Sequence, residues 1–196
     1  VGGPARRLVV AETIDEIVVA ASGLPGGMWL PTAVPPGVAR ALDRGPGARW
    51  DVLYFGNLNT PNNVDAVRWL VDEVLPRLGA DVRVGVAGSS PRPAVHECIG
   101  RDARVELIAD PPVMEDVVVQ ARVLVNPVRA SSGVNLKSVE MLFTRAPLVS
   151  TTAGVRGLPA QAVACFSVAD DPAGFAQAIE QALAQGPALP GKLADC

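Results

Sequence analysis

At 196 residues and 49% hydrophobic content, the chain is long enough for one full domain with a buried core and part of another. A net charge of −3 gives no support for broad electrostatic attraction to nucleic acid. Aromatic residues make up 4% and none alternates with Lys or Arg, which argues against a stacking platform for single strands. Three far-apart cysteines, Cys98, Cys165 and Cys196, argue against a disulfide framework and for a reduced, cytosolic setting. Cys98 and Cys165 read as small apolar core residues. His96 is the single histidine, so a histidine metal site and an internal Ser-His-Asp triad are both disfavoured, and His96 reads as structural.

In chain order, "RRLVVA" (6–11) reads as a strand and "ETIDEIVVAAS" (12–22) as a helix, with Ile14, Ile17 and Val18 on one face. The acidic residues in this opening argue against a secretory signal, and the missing initiator Met points to a piece of a longer chain. "GMWLPTAVPPG" (27–37) starts as a strand and dissolves into prolines, which cannot donate to a ladder. Residues 34–50, rich in Pro, Gly and Arg, mark a domain boundary. A regular rhythm follows. "DVLYFG" (51–56) is a buried strand, and 60–79 is a helix whose apolar face runs through Val64, Val67, Leu70, Val71, Val74, Leu75 and Leu78. Asn62 or Asn63 is its expected cap, Gly79 its end, and Pro76 predicts an irregular last turn. Strands are predicted at 82–88, 104–110, 122–128, 146–151 and 162–169, and helices at "RPAVHECIG", 135–145 and 171–186. Apolar strands alternating with helices predict an α/β fold, a Rossmann-like parallel sheet covered on both faces. No run approaches the roughly 18 apolar residues of a membrane span.

Ligands of such sheets sit beyond the carboxyl ends of the strands. Here those ends read "GNLNTPNN", "GSSPRP", "NPVRASSGVNLK" and "STTAGVRG". Gly56 and Gly88 leave room for a ligand near the backbone. Neither G-x-G-x-x-G nor a P-loop occurs. Ordinary βα loops use the same small polar residues, so composition leaves both readings open. The stretch "SSGVNLKSVE" (131–140) is distinctive: Ser132, Gly133 and Val134 sit at the mouth of a predicted helix, with Lys137 in its first turn. The dipole disfavours a lysine there, and a nearby anion would make sense of it. Glu140 lies three residues on, near the same face. The pair reads either as a surface i, i+3 contact or as a phosphate ligand beside a sugar-hydroxyl acceptor.

The series "LYFGNLNTPNNVDAVRWLVDEVLPRL", "VRVGVAGSSP" and "RVELIADPPVMEDVVVQARVLVNPVRASSGVNLKSVEMLFTRAPLVSTTAGVRGLP" resembles the C-terminal domain of GT-B glycosyltransferases of the group-1, family-four-like type. The tail "AVACFSVADDPAGFAQAIEQALA" is similar to that family's closing strand and helix, and the opening resembles the last βαβ of its N-terminal acceptor domain. The resemblance implies three parts: an acceptor-domain remnant and linker at 1–40, a nucleotide-sugar-binding Rossmann-like domain at 41–190, and a tail at 191–196. It implies that Gly56, Asn57 and Gly88 lie near the donor, and that the amides around Ser132, Gly133, Val134, Asn135 and Leu136 cradle its diphosphate or sugar. It further implies that Lys137 neutralises charge, with Arg129 in support, and that Glu140 meets the ribose. Glu140 matches the second glutamate of the family's E-x-x-x-x-x-x-x-E motif; Ser132 stands in the place of the first, as in relatives with "G-S-G-x-x-L-K-x-x-E". Asn57, Asn59, Asn62 and Asn63 fill the region where many relatives carry a basic residue.

The function implied is hexosyl transfer, with retention, from a nucleotide-sugar to the hydroxyl of a glycan, lipid or small-molecule acceptor. It uses no metal or other cofactor and involves no nucleic acid. Catalytic roles fall to Lys137 and Glu140. The chain is expected to be incomplete without its N-terminal partner domain, weakly active or inactive alone, and cytoplasmic, at most peripheral to a membrane. The rival reading is a degenerate, non-catalytic transferase-like interaction module, for which Ser132 and the asparagine-rich loop speak. A nucleotide-sugar epimerase fits the loop less well, and a dehydrogenase lacks its glycine fingerprint.

Overall fold

Trp50–Asn57 (β1) is apolar on both faces and therefore takes the middle of a sheet. Val52 and Tyr54 project into one core and Leu53 and Phe55 into the other, and none is more than 4% exposed. The computed structural model describes Ala41, Gly47, residues 49–131 and residues 133–186. The remaining strands are Val84–Ser89 (β2), Val105–Ala109 (β3), Ala121–Asn126 (β4), Leu148–Ser150 (β5) and Phe166–Val168 (β6). All pairings are parallel, in the order β3-β2-β1-β4-β5-β6. This is the Rossmann-like α/β sheet predicted from the alternation of elements.

The helices are Pro61–Trp69 (α1), Pro93–Ile99 (α2), Met114–Val118 (α3), Leu136–Met141 (α4), Ala160–Val163 (α5) and Pro172–Gln185 (α6). Val67 and Val95, from α1 and α2, join Phe175 and Ile179 of α6 over one face of the sheet. Val117, Met141 and Val163, from α3, α4 and α5, cover the other. Trp69 and Phe175 lock the first layer edge to face, with ring centroids 5.1 Å apart.

The predicted helix at 60–79 keeps its face but not its regularity. All seven apolar residues named for it are buried. After Trp69 the chain widens into a π turn over Leu70–Val74, with the Leu75 N–H bonded to the Leu70 carbonyl, and then tightens into a 3-10 turn over Leu75–Arg77. Pro76 has no N–H to continue the α ladder, so the irregularity begins earlier than its own turn. Burying one Leu or Val side chain is worth roughly 1.5–3 kcal/mol, against about 1 kcal/mol for one hydrogen bond. The apolar face therefore decides the path. Neither Asn62 nor Asn63 caps the helix: Thr60 holds the N-cap position without a side-chain bond, because Pro61 begins the first turn.

Two other predicted elements are shorter. The helix at 135–145 stops at Met141, where the amides of Leu142, Phe143 and Thr144 turn to carbonyls three residues back and Thr144 bonds its hydroxyl to the Met141 carbonyl at 2.7 Å. In 162–169 the "AV" belongs to α5, and Phe166–Val168 alone pairs with β5. Cys98 is a buried free thiol as expected. Cys165 is half-buried and packs against the second core, so it is less enclosed than its reading as a core residue expected. His96 is exposed on α2. The strands and helix expected before residue 40 lie outside the described residues. Among the described residues no helix is long and apolar enough to cross a membrane.

The amino edge of the sheet carries its own charged clasp. Asp51 accepts from the Arg83 amide at 2.9 Å and from the Arg122 guanidinium at 2.8 Å, tying the starts of β1, β2 and β4 together. Burial pushes the Asp51 carboxyl up, but the Arg83 amide and the Arg122 guanidinium outweigh it and hold the group below the ordinary carboxylate range. Its position opposite the ligand edge assigns this cluster to stability.

Candidate functional site

β1 and β4 are neighbours in the sheet although β2 and β3 separate them in sequence. The strand order reverses there, and the loops leaving these two strands diverge to opposite faces, opening a crevice at their carboxyl ends. β1 ends at Gly56 and Asn57, β4 at Asn126.

Lys137 comes from the first turn of α4 and lays its side chain across the tip of β1. Its Nζ stands 3.9 Å from the Tyr54 ring centroid, and a Cβ on Gly56 would fall 3.0 Å from its Cε and 3.1 Å from its Nζ. Lys137 is 8% exposed. An ammonium carries three donors. Its one hydrogen bond among the described residues is a long contact, 3.4 Å, to Asn63 Oδ1. That oxygen already accepts from the Tyr54 hydroxyl at 2.7 Å, while Asn63 Nδ2 donates to the Asn57 carbonyl at 2.7 Å. Lys137 forms no ion pair with a described carboxylate within 4 Å, Glu140 included. Burial pushes its pKa well below the ordinary lysine value, and the charge of Glu140 offsets this in part. The surface-pair reading of Lys137 and Glu140 is thereby overturned: one member is buried and the two do not touch.

Glu140 is half-buried on α4. Burial raises its pKa, the charge of Glu115 raises it further, and Lys137 pulls it down. No described donor bonds to it. The site thus joins a poorly compensated buried cation to an unbonded carboxylate one turn away.

The other sequence-predicted residues separate. Gly56 is at the centre, because only a missing side chain lets Lys137 pass over it. Asn57 is exposed beside it, its Oδ1 accepting from the Asn59 amide at 2.9 Å. The missing side chain of Gly88 serves the sheet itself: a Cβ there would stand 1.8 Å from the Gly56 carbonyl oxygen. Arg129 makes a two-pronged ion pair with Asp65, 2.6 Å and 3.0 Å, so its charge is committed. Ser132 lies outside the described residues. Gly133 is buried with φ of 94°, a left-handed conformation that suits glycine. Val134 and Asn135 are half-buried, and Leu136 is 52% exposed. α4 has six residues, so its dipole contributes less than the helix predicted over 135–145.

Beside the crevice, beyond β5 and β6, lies an open cleft of about 690 Å³ lined by Arg129, Thr151, Thr152, Val155, Arg156 and Asp170, among others. Thr152 closes its far wall, donating to Asp170 through its amide at 2.8 Å and its hydroxyl at 2.7 Å. Sequence reasoning quoted this loop without singling out Arg156. It also missed Tyr54 and Asn126; an asparagine ending the apolar run "RVLVN" was the available signal.

Residues 49–185 match the family described as Glycosyl transferases group 1. An uncharacterized 44.6 kDa protein in the cps region of Klebsiella pneumoniae is 26% identical over 166 residues, which cover 78% of this chain and 42% of that protein. The chain therefore spans less than half the length of that relative. Among solved structures, a mutant of S. aureus TarM in complex with fondaparinux, alpha-GlcNAc-glycerol and UDP gives a TM-score of 0.48 at 12% identity, over 73% of this chain and 34% of TarM. WaaG, a glycosyltransferase involved in lipopolysaccharide biosynthesis, gives a TM-score of 0.48 at 12% identity, over 78% of this chain and 43% of WaaG.

Proposed function

We propose that this chain, which belongs to the group 1 glycosyl transferases, is the donor-binding domain of a glycosyltransferase that moves a hexosyl unit from a nucleotide-sugar to an acceptor hydroxyl. The observation that carries the reading is Lys137: a buried ammonium at the switch point of the sheet, with one long hydrogen bond and no carboxylate partner among the described residues. A buried charge without a partner is unfavourable, and a diphosphate over Gly56 supplies the missing one.

In this reading the donor's diphosphate lies between the loops after β1 and β4. Lys137 takes up the charge that grows on the departing diphosphate as the glycosidic bond breaks, the kind of preorganised stabilisation that gains strength away from water. Glu140 accepts hydrogen bonds from the ribose hydroxyls. No metal is assigned a step. The acceptor, a glycan, lipid or small molecule, is bound with the help of an N-terminal domain, and transfer proceeds with retention.

Calorimetric titration with UDP, GDP and ADP and their sugars tests the proposal. At least one nucleoside diphosphate binds, and Lys137→Met weakens it at least about tenfold, the equivalent of one charge-assisted hydrogen bond at roughly 1.5–3 kcal/mol. A folded chain that binds none of them overturns the reading. One observation favours the rival, a non-catalytic interaction module: Arg129, the expected second cation, is committed to Asp65. Under that reading Lys137→Ala leaves the function of the full protein intact.

A further inference from the structure

We infer that Asn126 is a positioning residue for Lys137: through Ser138 and Gly154 it fixes the rotation of α4 that carries the ammonium to the tip of β1. This goes beyond the donor-site reading and rests on it for its meaning in catalysis, but not for its test.

Asn126 ends β4 and is fully buried. Its Nδ2 donates to Ser138 Oγ at 2.8 Å and to the Gly154 carbonyl at 3.3 Å. Ser138 passes the bond on, donating to the same Gly154 carbonyl at 2.7 Å. Three separate segments meet in this triangle: the end of β4, the first turn of α4 and the loop after β5. The third is held in place by its lack of a side chain, since a Cβ on Gly154 would fall 2.3 Å from Ser150 Oγ and 2.9 Å from Asn126 Nδ2.

The triangle matters for Lys137 because it grips α4 at the adjacent residue, whereas the core contact of the helix, Met141, lies a turn further on. The helix has six residues, and its N-cap, Asn135, makes no side-chain capping bond. Ser138 is the neighbour of Lys137 and is completely buried. A helix radius of about 2.3 Å plus the length of a lysine side chain gives a lever of roughly 8 Å, so a rotation of about 10° moves Nζ by about 1.4 Å. Displacements of that size are enough to change a reaction rate by about a hundredfold.

The amide also carries a local penalty. Asn126 Oδ1 is buried with no described hydrogen-bond partner. An apolar residue would avoid that penalty in a strand that is otherwise largely apolar. What the amide supplies is the pair of donors to Ser138 and Gly154.

The test compares Asn126→Leu, Ser138→Ala and Ser138→Thr in the ligand-free chain, following the Lys137 Cε and Hε NMR signals as pH is varied. The groups facing Lys137 are Tyr54 and Asn63, with Glu140 as the charged neighbour on its own helix. In Asn126→Leu and Ser138→Ala the titration midpoint moves up towards the ordinary lysine value, because the ammonium leaves its buried seat. Ser138→Thr keeps the hydroxyl and the wild-type midpoint. In the first two variants UDP, or whichever nucleoside diphosphate the wild type binds, binds at least tenfold more weakly. A merely structural tie would lower the melting temperature and leave the Lys137 midpoint where it was, and that result overturns the inference. If Asn126→Leu does not fold, Ser138→Ala, which removes a single oxygen, decides. A wild-type chain that binds no nucleotide refutes the donor-site reading alone, since the titration needs no ligand.

Discussion

Replacing Lys137 by Met should make the ligand-free protein more stable. Met keeps the length and most of the volume of the side chain and removes its charge. The charge sits in a residue 8% exposed that, among the described residues, has no ion pair and one hydrogen bond, at 3.4 Å. Replacing buried ionic groups by apolar ones of similar size is often neutral or stabilising, by about 1–4 kcal/mol. The lost interaction with the Tyr54 ring, 3.9 Å away, offsets roughly 1–2 kcal/mol of that. A net gain of about 1 kcal/mol remains, or a rise in melting temperature of roughly 2–4 °C for a chain of this size. The pH dependence adds a second signature. The folded pKa of Lys137 lies below its unfolded value, near 10.5. Between the two values the unfolded chain binds more protons, so wild-type stability rises as pH rises through this window. At lower pH the penalty is present in full. The variant lacks this slope, and its advantage shrinks as pH approaches the unfolded value. Urea unfolding followed by tryptophan fluorescence reads both effects, since Trp50 and Trp69 are 2% and 3% exposed. A variant less stable than the wild type by more than about 1 kcal/mol at neutral pH, with an unchanged slope, would show that Lys137 is held for the fold and not for an anion.

Three further outcomes separate structural from functional groups. Gly88→Ala, whose Cβ would stand 1.8 Å from the Gly56 carbonyl oxygen, should destabilise the protein by at least about 3 kcal/mol in denaturant titrations; an effect below about 1 kcal/mol would mean that the strand ends yield readily. Asp51→Ala should lose roughly 2 kcal/mol at pH 7 with nucleotide affinity unchanged. Because the Asp51 pKa is lowered in the folded state, that difference is present above the unfolded value of 3.8 and closes as pH falls through the folded one. Arg129→Ala removes an exposed ion pair with Asp65 and should shift stability by less than about 1 kcal/mol and nucleotide affinity by less than about threefold; a tenfold loss of affinity would return Arg129 to the donor site.

What could be read in the chain before its structure follows from how local each signal is. The apolar runs of β1, β2 and β4 announce a parallel sheet, because each is buried on both faces and no other arrangement buries them so. The face of the helix after β1 was readable for the same reason. Pro76 announced the 3-10 turn at its end; the π turn over Leu70–Val74 before it was not legible, because it comes from a conflict between Pro76 and a surface that has to stay buried. Thr60 displaced the two asparagines as N-cap because Pro61 sets the first turn. Lys137 stood out as a lysine at a helix start, but its burial depends on Gly56 and Tyr54, which only the pairing of distant strands brings beneath it. Arg129 looked equally available in sequence, and Asp65, far away in the chain, takes its charge.

The order of the strands also has a consequence for how the site is assembled. β1 pairs on one side with β2, which follows it closely, and on the other with β4, where Trp50 meets Ala121. Loop closure is the smaller entropic burden for the first pairing and the larger for the second. Loop closure alone therefore favours the β1–β2 pairing over the β1–β4 seam, by less than about 1 kcal/mol. Gly56, Tyr54 and Asn63 belong to one side of that seam and Lys137 to the other, so the lysine's seat exists only while the seam is closed. By the same reasoning, amides along the β1–β4 seam exchange their hydrogens before those between β1 and β2. An anion bridging the two sides would slow that exchange, acting as a clasp on the joint.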